Sequence, residues 1–343
     1  MVNHHQPFLQ AELRRRIAAG KRGDLLPTAA DLAAEFGVNI KTVNKVLNQL
    51  AAAGLLERKR RSGTIILGEG DSPARRIVEV IFSGFTDPFL HPFWGELLKG
   101  IHEVLSDAGY RMILNHIRSN PETHLFDIDK IELSEAAGRI TVGPCEKHLL
   151  DWIAAGKRPT VAAGDELADR ETPSVYFDFQ KGISDAVNYL YRKRNCRKIA
   201  FLGYVNNLIN PAAQQKLYAY TLAYQQFEQL DMNLIQECWP IPGKGRNAVE
   251  QLLGKSDPEA LIVGSDMLVP EIDAVLRERK LFIPVVGCDG VTLETPPADY
   301  SVVRAPRREC GQLAAKLLLK TIQNASGKIG RHPLPAMFQE KKQ

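Results

Sequence analysis

Four carboxylates each stand just beyond a short apolar run: Asp165 after residues 160–163, Asp178 after 175–177, Asp266 after 261–265 and Asp289 after 285–288. A fifth, Asp87, sits among the aromatics Phe85, Phe89, Phe93 and Trp94, which follow the apolar run 77–82. Carboxylates accept hydrogen bonds from paired hydroxyls, and aromatic faces stack on the C–H face of a sugar ring. The set therefore suits a polyol-binding cleft. Asp178 and Asp266 could also be imagined as an acid/base pair. However, the sequence holds no nucleophile elbow, HExxH, P-loop or zinc-ligand spacing. Binding without catalysis, cofactor or metal is the expectation. Gly243-Lys244-Gly245-Arg246 is Gly-rich, lacks P-loop spacing and reads as a loop before a helix.

A second group of residues suits nucleic acid. Thr28 and Asp31 form a capping-box pattern ahead of Leu32, Ala33 and Phe36, and Gly37 supplies a left-handed helix end. Asn39 can cap a second helix, whose apolar stripe is Val43, Val46, Leu47 and Leu50. That stripe leaves Ile40, Lys41, Asn44 and Lys45 off the core. Two short helices joined by a tight turn make a helix-turn-helix, whose second helix enters the major groove. Beyond Gly54, residues 55–67 read as strand, basic turn and strand, the wing of a winged helix. The surface expected to meet DNA is Thr28, Asn39, Lys41, Thr42, Asn44, Lys45, Arg58, Arg60, Arg61, Ser62 and Gly63. Asn44 is expected to read adenine through N6 and N7, and the cations to hold phosphates.

Charge follows the same division. The chain of 343 residues carries a net +4, but residues 1–68 hold eleven Lys/Arg against five acids, leaving −2 for the remainder. The positive excess thus coincides with the helix-turn-helix. Phe8, Leu9, Leu13 and Ile17 mark one face of a first helix, whose Arg14, Arg15 and Arg16 either reach phosphates or are solvated. No run of about 18 apolar residues suggests a membrane span, and the N-terminal residues lack a secretory pattern. The five cysteines are widely spaced and odd in number, which fits a reduced, cytoplasmic setting.

Residues 69–75, containing Gly70 and Pro73, read as a linker. From residue 76, strands alternate with helices. One series comprises strands 77–82, 111–115, 139–142 and 160–163, with helices at 95–108 and 148–155. A second comprises strands 175–177, 199–202, 260–263 and 285–287, with helices at 182–192, 214–226, 270–279 and 307–325. Such alternation implies parallel sheets covered by helices, here in two lobes with a cleft at the strand ends. The expected fold class is α/β: a winged helix-turn-helix domain over residues 1–68, the linker 69–75 and a two-lobed domain over 76–343.

Two family resemblances carry these expectations further. Leu26-Pro27-Thr28, Asp31-Leu32-Ala33, Phe36-Gly37-Val38, Lys41-Thr42-Val43, Gly54-Leu55-Leu56 and Ser62-Gly63-Thr64 resemble the DNA-binding domain of GntR-type bacterial repressors. Such readers usually carry arginine where this chain has Ala30, Ile40 and Asn44. His91-Pro92-Phe93-Trp94-Gly95-Glu96-Leu97-Leu98-Lys99-Gly100-Ile101 is similar to the first helix of lactose/galactose-repressor effector domains, which share a fold with periplasmic sugar-binding proteins. Lys198-Ile199-Ala200-Phe201-Leu202-Gly203, Ser265-Asp266-Met267, the stretch around Gly287-Cys288-Asp289 and Val302-Val303-Arg304-Ala305-Pro306 extend the match.

The combined architecture resembles arabinose-repressor-like regulators. By this resemblance Asp165, Lys216, Ser265 and Asp289 occupy ligand-contacting positions, with Lys216 where the family usually has arginine. The resemblance implies a homodimer reading an inverted-repeat operator on double-stranded DNA, and a small-molecule effector, a sugar or a purine; the carboxylates at the strand ends point to a monosaccharide or similar polyol. Several carboxylates, offset only by Lys216 and Arg246, favour a neutral sugar. The competing expectation is a cytosolic sugar-binding or sugar-modifying protein with a vestigial winged helix.

Overall fold

The computed structural model describes residues 5–21, 23–52, 54–59, 63–67, 76–84, 87–88, 91–118, 133–143, 147–155, 158–165, 171–205, 211–323 and 330–341. By internal contacts the chain divides into two compact units. One is residues 1–79 with 108–113 and 134–138; the other is residues 80–107 with 114–133 and 139–343. The linker expected at 69–75 lies outside the described residues.

The first unit begins with α1 (His5–Ala19), β1 (Leu25–Leu26), α2 (Ala29–Phe36), α3 (Ile40–Ala52), β2 (Leu56–Lys59) and β3 (Gly63–Ile66). The Thr28–Asp31 capping box forms reciprocally, and Gly37 takes the left-handed conformation at φ 62° that ends α2. Asn39 Oδ1 accepts the Lys41 N–H at 2.8 Å at the start of α3. Leu9, Leu13, Ile17, Leu32, Val43, Val46, Leu47 and Leu50 are almost wholly buried in one core. Each such side chain contributes about 1.5–3 kcal/mol through burial. Phe8 departs from the expected α1 face: it is 65% exposed, its ring edge-on to Phe36. The strands pair antiparallel in the order β1-β3-β2, which makes the wing.

Two six-stranded sheets follow. Their elements are β4 (Ile77–Gly84), α4 (Pro92–Asp107), β5 (Arg111–Arg118), β6 (Gly138–Val142), α5 (Lys147–Ala155), β7 (Thr160–Gly164), β8 (Ser174–Asp178), α6 (Gln180–Asn188), β9 (Ile199–Gly203), α7 (Pro211–Tyr224), β10 (Ile235–Glu237), α8 (Lys244–Lys255), β11 (Ala260–Val263), α9 (Val269–Glu278), β12 (Val285–Gly287), β13 (Tyr300–Arg304), α10 (Arg307–Ile322), β14 (Arg331–Pro335) and β15 (Met337–Gln339). The first lobe's sheet runs β14-β8-β7-β6-β4-β5, and the second's β10-β9-β11-β12-β13-β15. The β9, β11, β12 ladder is parallel, as continuous apolar strands require.

Four expectations are corrected. The strand at 174–178 belongs to the first sheet, between β7 and β14, and does not open the second series. The helix expected over 182–192 is α6 followed by a π-helical turn, Tyr189–Lys193. Gly243 to Arg246 is not a loop throughout, because α8 starts at Lys244 after a left-handed Gly243. The strands β10, β14 and β15 were not anticipated.

Among the described residues the chain crosses between lobes three times. It leaves β8 for α6, which packs on α7, β13 and β15; it leaves β13 for α10, which packs on α4, β7 and β8; and it passes from β14 directly into β15. The first and third crossings are joined, because Ala336 N–H donates to Asp178 O at 2.8 Å. Glycine is required beside them: a Cβ on Gly182 would lie 2.4 Å from Ala336 O. Likewise α4 and α10 touch through a reciprocal glycine pair. A Cβ on Gly100 would lie 2.1 Å from Arg308 O, and one on Gly311 2.1 Å from Leu97 O.

Candidate functional site

In the first unit, Lys41 and Lys45 are exposed along α3, and Thr42 is half-buried between them. Asn44 does not offer a free carboxamide. Its Oδ1 accepts from Arg58 at 2.7 Å, and Asn48 Oδ1 accepts from the same guanidinium at 2.5 Å. Reading adenine through both N6 and N7 needs the carboxamide oxygen as acceptor, and here Arg58 already takes one of its two lone pairs. Arg58 in turn is held against α3. Thr28 is occupied by its capping box. Arg16 bonds Glu35 through both terminal nitrogens and lies 5.1 Å from the Phe36 ring, so it buttresses α2. Gly63 opens β3 at φ 90°; Arg60, Arg61 and Ser62 lie outside the described residues.

In the second unit the strand register aligns three carboxyl ends. Val263 pairs with both Leu202 and Gly287, so Tyr204, Ser265 and Asp289 emerge along one edge of the second sheet. Asp289 is the hub there. Its Oδ1 accepts from Lys216 Nζ at 2.7 Å, and its Oδ2 from Ser265 Oγ at 2.8 Å and Asp266 N–H at 3.0 Å. Lys216 Nζ also donates to Gly264 O at 2.6 Å and sits 4.4 Å from the Phe179 ring. Burial opposes charge on Asp289, but Lys216, Ser265 and the Asp266 N–H hold its carboxyl below the usual range. The pair is thus compensated internally.

Asp266 corrects the expectation that it faces the cleft. It has no solvent exposure. Its Oδ1 accepts the Asp289 N–H at 3.1 Å and its Oδ2 the Val291 N–H at 2.7 Å, so it ties down the turn after β12. Burial and the nearby Asp289 push its carboxyl up to about 7. Gly287 must lack a side chain for this, since a Cβ would sit 2.1 Å from Asp266 Oδ1. Asp178 Oδ1 accepts the Gln180 N–H at 2.9 Å, beside the first crossing. Arg246 is not in the cleft: it pairs with Glu278 at 2.7 Å on α9's side.

From the first lobe, Phe93 is buried edge-on to both Trp94 and Phe177, while Trp94 is half-buried and lies against Gly164. Asp165 is half-buried at the end of β7 and Asp87 is exposed; Phe85 and Phe89 lie outside the described residues. Three residues here, His91, Tyr204 and Arg307, were not singled out from the sequence. His91 Nδ1 accepts the Phe93 N–H at 3.3 Å, and burial holds its ring below the usual histidine range, against Asp289. Tyr204 stands edge-on to Trp239, its phenol pushed up by burial and then by Asp165 and Asp289. Arg307, at the start of α10, lies 5.7 Å from the Phe93 ring. The signal for Arg307 was its place directly after a strand end, in Val303-Arg304-Ala305-Pro306-Arg307.

Among the described residues no group of three or more His, Cys, Asp or Glu could hold a metal, and no helix is long and apolar enough to cross a membrane.

Residues 86–332 match the family of periplasmic binding proteins and sugar binding domain of LacI family, and residues 7–66 match bacterial regulatory proteins of the gntR family. The first match spans well over half the chain, and the protein belongs to that family, with a GntR-type helix-turn-helix domain at its N-terminus. It is 26% identical to catabolite control protein A of Priestia megaterium, over 85% of this chain and 92% of that protein. It is 23% identical to the arabinose metabolism transcriptional repressor of Geobacillus stearothermophilus, over 94% and 92%. Among solved structures, the transcriptional regulator CelR–cellobiose complex superposes with a TM-score of 0.67 at 18% identity, covering 92% of this chain and 98% of that one.

Proposed function

We propose that this protein is a DNA-binding transcriptional repressor controlled by a small sugar-class effector. The observation that carries this reading is the joining of two surfaces in one chain. One is a winged helix whose α3 exposes Lys41 and Lys45 beside a braced Arg58. The other is a two-lobed domain whose strand ends gather Asp289, Lys216, Ser265 and aromatic side chains. A single helix-turn-helix covers only a half-site, so a homodimer on an inverted repeat is the working form. The reader occupies residues 1–68, the linker 69–75 and the effector and dimerisation domain 76–343.

The effector binds between the lobes and changes their arrangement. Asp289, Lys216, Ser265 and Asp165 contact it, with Trp94 and Phe93 as the aromatic wall. The relatives' names support the regulator class: two are control or repressor proteins, and the solved CelR structure holds cellobiose. The protein performs no catalysis and works in the cytoplasm. The test is fluorescence anisotropy of the full chain on fragments of its own genome at moderate salt. Specific fragments bound at nanomolar protein, and released or tightened by a sugar, are expected. Uniform weak binding that vanishes with salt would refute the reading.

A further inference from the structure

Resting on the function proposed above, we infer that the effector is an anionic polyol, whose carboxylate or phosphate is received by Arg307 and Arg304 at the junction of the lobes.

Two of the strand-end carboxylates, Asp289 and Asp266, are engaged inside the second lobe. Asp289 is paired with Lys216, and Asp266 is internal and bound by backbone N–H groups. The cations are in the opposite condition. Arg307 Nη2 and Arg304 Nη1 both donate to a single acceptor, Gly290 O, each at 2.9 Å. Gly290 directly follows Asp289. The remaining hydrogen bonds of these guanidiniums among the described residues go to Pro92 O, at 3.4 Å, and to Gln339 Oε1, at 2.8 Å. All three acceptors are neutral. Two like charges therefore converge on one carbonyl with no carboxylate among these bonds.

Arg307 is half-buried, with Phe93 on one side. Burial holds its proton affinity below the ordinary arginine range, Asp289 works against this, and Arg304 adds to it. A cation withdrawn from water and facing a second cation is costly unless an anion joins them. The planar fork of arginine suits the oxygens of a carboxylate or phosphate.

The geometry also provides space. Beside these two arginines a cavity of about 400 Å³ is bounded by Arg304, Arg307 and Arg308, by Glu96 and Glu309, and by Met337, drawing on both lobes and two of the crossings. That volume lies within the ordinary range for small-ligand sites, about 300–1,000 Å³. A ligand anion here would join Arg304 of the second lobe to Arg307 at the start of α10, which gives an anionic effector purchase on the lobe arrangement that a neutral sugar lacks.

The experiment is calorimetry on the full chain with D-gluconate, D-glucuronate, glucose 6-phosphate, D-glucose and inorganic phosphate, for wild type, Arg307→Met and Arg304→Met. At least one anionic sugar is expected to bind wild type, with affinity reduced at least about tenfold in Arg307→Met and weakened by added salt. The salt dependence is read on wild type alone, so it holds even if a variant folds poorly. Gluconate or glucuronate as the binder identifies a carboxylate, and glucose 6-phosphate a phosphate ester. Inorganic phosphate competing with either confirms the anion subsite. If no anionic member binds, or if all bind equally well in both variants and at high salt, the inference is overturned. Binding of glucose alone would overturn it while leaving the proposed repressor intact. Loss of specific operator binding in anisotropy would instead remove the repressor reading.

Discussion

Arg58 of the wing donates to Asn44 of the second helix at 2.7 Å, and with the neighbouring Asn48 this fixes a guanidinium along the face of α3. The wing strand thereby supplies the helix with a forked donor that its own sequence lacks. On this geometry Asn44 is expected to act as the support and Arg58 as the group that meets a base edge.

The first prediction tests that division. Arg58→Ala is expected to cost about 1–3 kcal/mol in operator binding and to relax preference at one position per half-site. Asn44→Ala and Asn48→Ala should each cost less, and Arg58→Ala/Asn44→Ala should cost no more than Arg58→Ala alone. Additive losses in an anisotropy cycle would mean that Asn44 reads DNA independently. Lys41→Ala, by contrast, should weaken all sequences alike and lower the salt slope by about 1.

Asp266 and Asp289 should separate cleanly. Asp266→Asn places an amide N–H₂ against one of the two backbone N–H groups now bound to the carboxylate, at a cost of about 1–3 kcal/mol in stability. Effector affinity should hold, since Asp266 has no exposed surface. Asp289→Asn leaves Lys216 buried without its partner and should cost about 3–5 kcal/mol, with effector affinity lost as well. Thermal melts with and without ligand give both readouts.

His91 gives a pH dependence of definite sign. Its folded pKa lies below the ordinary 6.5, because burial favours the neutral ring and Arg307 adds to this, while Asp289 opposes it. The unfolded chain therefore takes up the proton first as pH falls. Stability is unaffected by this group above the unfolded value and declines as pH drops below it. His91→Asn keeps an acceptor for the Phe93 N–H and cannot titrate. The loss in melting temperature between pH 7 and pH 5 should be smaller in the variant. An equal loss would show that other groups carry the effect.

The glycine pair at the α4–α10 contact should be intolerant. Gly100→Ala puts a methyl 2.1 Å from Arg308 O, a backbone atom that cannot swing aside. Separating the helices is expected to cost about 1–3 kcal/mol or more. Gly95→Ala, on the same helix with open space at its Cβ, is the control and should be near neutral or slightly stabilising.

The parts of this fold that were legible in the sequence are those decided locally. Thr28, Asp31 and Gly37 write the ends of α2 within ten residues, and the stripe Val43, Val46, Leu47 and Leu50 writes the buried face of α3. Continuous apolar runs likewise marked β4, β9 and β11. What escaped was decided at a distance. Ser174–Asp178 reads as a strand, but only its pairing with β7 and with a strand more than 150 residues later assigns it to the first lobe. That later strand contains Pro333 and Pro335, which obscure it and are tolerated because it is an edge.

The two aspartates illustrate the same limit within the candidate site. Asp266 and Asp289 look alike, each a carboxylate after a strand. They differ because the turn carrying Val291 folds back onto one of them. Arg307 was hidden for the opposite reason. It is the first residue of a long helix, and only the approach of Gly290 and Phe93 from separate elements gives it a setting.

The three crossings also bear on how the chain is made. The first lobe's sheet includes β14, and its helix layer includes α10, so its last strand ends at Pro335. A ribosome must therefore pass residue 335 before that lobe can be completed. Until then the β8 edge, which β14 later covers, is left without its partner, an opportunity for pairing with other nascent chains. The second lobe closes with β15, only a few residues further on. Neither lobe can mature far ahead of the other, whereas the strands and helices of the winged helix are all encoded before residue 68 and can fold earlier in translation.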